Sequence, residues 1–147
     1  MANTKTAAET SLEIKRTFPV PREEVFKAWT EPQALKQWFF PSDGVHTSDV
    51  ELDLRVGGNY RIVMKSQTGE QYVAVGTYRE VQFPEKLVFT WSFEGTGMGE
   101  TVVTLDFHDR GGSTELILKH RFFASQDERD RHNMGWSSCL DHLGKHL

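Results

Sequence analysis

Two histidines are the residues best placed to do chemistry. His120 closes the segment Thr114 to His120, in which Leu116, Leu118 and His120 share one phase of a two-residue alternation. His132 lies one helical turn before Trp136, on the same face of a helix-like segment. Imidazole changes charge near neutrality, so two such rings in one space can orient a polar group of a bound molecule or pass a proton. The plainer reading gives each ring a structural hydrogen bond to the backbone. Neither His-Glu-x-x-His spacing, a cysteine pair nor a third ligand accompanies them, which argues against a metal site. Ser137 and Ser138 lack the Gly-x-Ser-x-Gly setting of an activated serine, and Cys139 has no activating neighbour and reads as core. Gly57-Gly58 and Gly111-Gly112 do not precede helices, so neither reads as a phosphate cradle. Asp53 and Arg55, two apart on an extended segment, face one way and suit an ion pair bracing a turn or a polar anchor. No arranged catalytic group is evident, and the residues favour a non-catalytic role.

The elements that must position these residues follow from periodicity. Residues 1–10 are small, polar and aperiodic and read as a flexible tail; the single domain is expected over 11–147. Leu12, Ile14 and Phe18 mark a half-buried strand. Pro21 opens a helix with Val25, Ala28 and Trp29 on one face, and Pro32 restarts a second with Leu35, Trp38 and Phe39. After Pro41-Ser42-Asp43-Gly44 the period becomes two. Strands are expected near Asp49–Leu54, Asn59–Lys65, Tyr72–Val81, Lys86–Phe93, Thr101–His108 and Thr114–His120, joined by glycine-bearing turns. Such a succession without intervening helices predicts an antiparallel meander. Ser125-Gln126-Asp127-Glu128 is a capping box that starts a helix running to the C-terminus, long enough to cross a small domain.

The strand pleat predicts an inner wall. Leu87, Phe89 and Trp91 share a face, as do Val103, Leu105 and Phe107; Leu116, Leu118 and His120; and Tyr60, Ile62 and Met64. The last helix presents His132, Trp136, Cys139, Leu140 and Leu143. If those faces meet, the space between them has the aromatic and methionine lining of a small-molecule pocket. The candidate lining residues are Trp38, Tyr60, Met64, Phe89, Trp91, Leu105, Leu116, Leu118, His120, His132, Trp136 and Leu140. The alternative is that these side chains fill one another's volume. Gly76 in a strand fits a bulge or a close approach, and Gly135 inside a helix leaves room against the sheet or above a cavity.

Composition narrows the classes. The chain of 147 residues carries 17 basic and 21 acidic side chains, a net charge of −4 without a basic stripe, which excludes nucleic acid as a main partner. Aromatic residues make up 12%, enough for a thick core or an apolar cavity. One cysteine allows no internal disulfide, and no N-terminal apolar stretch or bilayer-length run is present, so a reduced, cytoplasmic setting without membrane insertion is expected.

The order of elements and a set of ordered motifs resemble the activator-of-heat-shock-protein-90-ATPase homologue family of the START-like (SRPBCC) superfamily. The motifs are Val25-Phe26-Lys27-Ala28-Trp29-Thr30 with Trp38, Asp53-Leu54-Arg55-Val56-Gly57-Gly58-Asn59-Tyr60-Arg61, and Gly76-Thr77-Tyr78-Arg79-Glu80-Val81. Pro84 through Trp91, Thr114-Glu115-Leu116 with His120, and His132 with Gly135-Trp136 and Leu140 complete the set. The resemblance implies an α+β helix-grip fold, with about seven curved antiparallel strands, two short helices and a long C-terminal helix. It also implies a cavity for an apolar or aromatic molecule with no cofactor required. The alternative it offers is a protein-interaction module whose partner is a chaperone or another protein. An enzyme of cyclase or hydrolase kind, using His120, His132 or Tyr60 as acid or base, ranks below both. A monomer or a homodimer paired through an edge strand fits the sequence equally.

Overall fold

The computed structural model describes residues 10–42 and 44–147. The tail read over 1–10 therefore lies outside the described residues except for Thr10. Seven antiparallel strands form one sheet in the order β1-β7-β6-β5-β4-β3-β2. They are β1 (Leu12–Phe18), β2 (Val45–Leu52), β3 (Asn59–Ser66), β4 (Gln71–Gln82), β5 (Lys86–Phe93), β6 (Thr101–Asp109) and β7 (Thr114–Arg121). Helices α1 (Arg22–Thr30) and α2 (Pro32–Trp38) sit between β1 and β2, and α3 (Gln126–His146) follows β7.

Alternation fixes which way each strand faces. In β6 the residues Thr101, Val103, Leu105 and Phe107 are buried, and in β7 so are Thr114, Leu116, Leu118 and His120. Register pairs Leu105 with Leu118 and Val103 with His120, so both rows meet on one face. Two bulges bend the sheet, one in β2 between Thr47 and Asp49 and one in β4 between Tyr78 and Glu80. Pairing continues across the first, so β2 starts four residues earlier than expected, and it ends at Leu52. The polar stretch His46-Thr47-Ser48 shows no alternation, yet Val45 to Thr47 pair with Ser66 to Met64. Asp53 then leaves the ladder for the turn, where Arg55 bonds its carboxylate at 2.7 Å, both side chains exposed. That is the ion-pair brace of the two sequence readings.

Gly76 is required by close approach. A methyl there would lie 2.0 Å from the Thr90 carbonyl oxygen and 2.6 Å from the Tyr60 ring, which covers this stretch of β4. The short helices are joined by the Trp38 indole, which donates to the Ala28 carbonyl at 2.9 Å. Helix α3 begins at Ser125, whose hydroxyl accepts from the Glu128 amide at 3.1 Å. The Glu128 carboxylate reaches the Ala124 amide, one residue before the expected Ser125. Trp136, Cys139, Leu140 and Leu143 are the buried face of α3 and belong to the same core as the inner sheet face. No helix is long and apolar enough to cross a membrane.

Candidate functional site

Where α3 passes β5, two histidines and two tryptophans form one network. Trp136 Nε1–H donates to His120 Nδ1 at 3.0 Å. An indole nitrogen is only a donor, so His120 Nδ1 carries no proton there and Nε2 does. His120 Nε2–H then donates to the Thr101 hydroxyl at 2.7 Å, which itself donates to the Trp91 carbonyl at 2.7 Å. The same logic sets the second ring. Trp91 Nε1–H donates to His132 Nε2 at 3.1 Å, leaving His132 Nδ1–H to donate to the Glu128 carbonyl at 2.8 Å. The imidazole centroids are 5.2 Å apart, edge to face. Burial holds the His120 pKa well below its ordinary value, with His132 adding to the effect. Burial also lowers that of His132, against the opposing pull of the Glu128 carbonyl. Both rings are neutral at pH 7, and a proton on either would face a tryptophan N–H.

Trp91, His132 and Trp136 of this network also line a cleft of about 730 Å³ between the sheet and α3. Its sheet wall is Met64, Tyr72, Trp91 and Phe93; its helix wall is His132, Gly135, Trp136 and Cys139. Phe39, Pro41, Val45, Met98 of the β5–β6 turn, Glu128 and Arg131 also line it. Most of this surface is apolar or aromatic, with few polar groups, which is the composition of sites for small molecules. A methyl at Gly135 would meet only Pro41 at 3.5 Å, so this helix position keeps the cleft wide.

The twelve residues expected to line a cavity divide into three groups. Met64, Trp91, His132 and Trp136 line the cleft. Tyr60 and Phe89, together with Trp91, line a second space of only about 20 Å³ on the far side of Phe39. Trp38, Leu105, Leu116, Leu118, His120 and Leu140 line neither; each is at most 1% exposed and fills the core. His120 thus lies beneath Trp136 and not at a mouth. Sequence reasoning missed Phe39, Pro41, Tyr72, Phe93 and Met98. Phe39 shares the helical spacing of Leu35 and Trp38 and read as core, Pro41 falls in a segment with no regular period, and Tyr72, Phe93 and Met98 sit at strand ends and a turn, where alternation loses its hold.

Acid–base and nucleophilic chemistry find little support in this geometry. The Tyr60 hydroxyl donates a hydrogen bond to the Thr90 carbonyl, and burial raises its pKa well above the ordinary value. Burial pushes the Cys139 thiol up to about 12, despite a hydrogen bond with the Phe40 backbone that acts the other way. Among the described residues no three His, Cys, Asp or Glu side chains gather in a way that could hold a metal ion.

A single antiparallel sheet gripping one long C-terminal helix, with two short helices inserted after the first strand, defines a START-like, helix-grip domain. The model of the family described as activator of Hsp90 ATPase homolog 1-like protein matches residues 19–147, and the chain belongs to that family. It is 30% identical over 125 residues to the human activator of 90 kDa heat shock protein ATPase homolog 1, a match covering 84% of this chain and 32% of that protein. The chain therefore spans about a third of the length of that relative. A crystal structure of an AHSA1 protein from Silicibacter pomeroyi is similar with a TM-score of 0.81 at 29% identity, over 92% of this chain and 95% of that one. A protein from Chromobacterium violaceum shares the fold with a TM-score of 0.85 at 23% identity, over 92% and 95%.

Proposed function

We propose that this protein binds an apolar or aromatic small molecule in the cleft between the sheet and α3, without a cofactor. The observation that carries this reading is the cleft itself: about 730 Å³, walled by Phe39, Met64, Trp91, Phe93, Met98 and Trp136. Methionines supply an adaptable surface and indoles a flat one, a pairing that accepts ring systems without demanding one shape. His132 is the polar group of the wall that is best fixed, since its Nδ1–H and Nε2 are both engaged.

Native mass spectrometry of freshly purified protein tests the reading. An excess mass lost on denaturation is expected, together with thermal stabilisation by naphthalene-sized aromatics. Gly135→Leu is the matching variant: it projects a side chain into the cleft and replaces glycine in a helix, so stability is kept or raised while binding is lost. A clean apo mass with no stabilisation by any aromatic compound would sink the proposal.

A second reading has its own support. The human relative is named for activating the ATPase of a 90 kDa heat shock protein, and Val56, 64% exposed, and Leu54 leave apolar side chains at the β2–β3 turn. Under that reading the chain docks on a chaperone through this turn. Adding it to a 90 kDa heat shock protein and following ATP hydrolysis decides the matter: unchanged turnover removes this alternative.

A further inference from the structure

The four tryptophans are all buried, and three give their N–H to a protein acceptor: Trp38 to Ala28, Trp91 to His132 and Trp136 to His120. Trp29 does not. Its Nε1 is the one buried side-chain polar atom without a partner among the described residues, in a side chain only 3% exposed. A buried donor left unpaired is costly, and native structures rarely keep one without a use.

Trp29 forms part of the wall of the 20 Å³ space already mentioned, with Leu35, Phe39, Tyr60, Tyr78 and Trp91 among its neighbours. That volume suits one oxygen-sized atom. The polar side chains of its lining are two indoles, which only donate, and two phenols, which donate and accept. The Tyr60 hydroxyl is committed to Thr90 and the Trp91 indole to His132. That leaves the Trp29 N–H without a partner, and the Tyr78 phenol also lines the space. Burial raises the Tyr78 pKa, so its hydroxyl keeps its proton.

The small space and the large cleft share two walls, Phe39 and Trp91, whose ring centroids are 6.0 Å apart. The Phe39 main chain is held at both ends, its amide by the Leu35 carbonyl at 2.9 Å and its carbonyl by the Thr47 hydroxyl. The Phe39 ring itself packs against Trp29, Trp38, Trp91 and Trp136, so joining the two spaces requires that ring to turn about its own side-chain bonds.

We propose that Trp29 Nε1–H is the donor for an oxygen acceptor at the inner end of the bound molecule. The ligand class is then an apolar, flat body lying in the cleft, led by a carbonyl or hydroxyl oxygen that passes between Phe39 and Trp91. This rests on the reading of the cleft as a binding site. Water can offer the same oxygen, and the experiment separates the two sources.

The probes are 2-acetylnaphthalene and 2-isopropenylnaphthalene, which match in shape and differ in the acceptor oxygen. Binding is followed by indole N–H resonances of ¹⁵N-tryptophan-labelled protein, in which Trp91 and Trp136 report the cleft and Trp29 the inner space. The ketone is expected to bind about tenfold more tightly and to move the Trp29 resonance downfield, while the isopropenyl compound moves only those of Trp91 and Trp136. Trp29→Phe should abolish the tenfold preference and leave both compounds bound. Equal affinities with an unmoved Trp29 resonance overturn the inference and leave cleft binding intact. A Trp29 N–H that keeps its contact with water in the presence of bound ketone overturns it likewise, since the acceptor is then solvent. Failure of both compounds to bind overturns the inference and the cleft reading together. The wild-type spectra decide the matter even if Trp29→Phe does not fold.

Discussion

At the scale of single residues, neutral histidine is the feature with consequences for stability. His120 and His132 are held neutral in the folded chain, by burial first. In the unfolded chain both titrate near the ordinary value of about 6.5. Below that pH the unfolded state binds more protons than the folded state, so stability falls as pH falls. The groups facing the pair are each other, the carbonyl and the carboxylate of Glu128, which both favour the charged His132, and the Arg131 guanidinium, which disfavours it, with burial outweighing them. Urea melts between pH 7 and pH 5 should show a loss whose slope approaches about 1.4 kcal/mol per pH unit from His120, the more strongly shifted ring, with a smaller share from the half-buried His132. His120→Ala should cost about 3–4 kcal/mol at pH 7, because it opens a void and strands the Trp136 N–H and the Thr101 hydroxyl. Gly76→Ala should cost about 3 kcal/mol or more by the same measurement, since its methyl would overlap the Thr90 carbonyl.

At the scale of elements, α3 is both lid and wall. Its start depends on Ser125, and Ser125→Ala should cost about 1 kcal/mol in a thermal melt without touching the cleft lining. Its middle carries Gly135, kept against helix propensity. Gly135→Ala should stabilise by up to about 1 kcal/mol, because the added methyl meets only Pro41 at ordinary contact distance. The capping box, the helix face and the alternation in β5, β6 and β7 were all legible in the sequence, since each depends on neighbours within a turn or a pleat. The start of β2 was not. Its first residues are polar and are recruited by pairing with β3 across a bulge, a contact that local pattern does not encode.

At the scale of the molecule, binding in the cleft is linked to folding, because only the folded chain brings α3 against β5. A ligand at a hundred times its dissociation constant should add about 2.7 kcal/mol of stability. For a chain of this size that raises the melting temperature by roughly 5–10 °C, which a ligand titration in a scanning fluorimeter reads directly.

The sequence by itself determined the fold class, the order of elements, the inward rows of each strand and the histidine and tryptophan positions that share a face. These rest on periodicities of 2 and 3.6 and on glycines whose freedom the backbone demands, all of them local properties. Which of the inward residues would touch empty space was decided only by the tertiary structure. Leu105, Leu116 and Leu118 obey the same alternation as Trp91, yet they pack against one another's neighbours in the solid part of the core, whereas Trp91 stands where α3, the turn after β5 and the segment after α2 diverge. Volume left over is a property of how three elements meet. So is the pairing of each donor: Trp29 and Trp38 lie on consecutive helices with similar settings, and only the packed chain gives one a partner and leaves the other waiting.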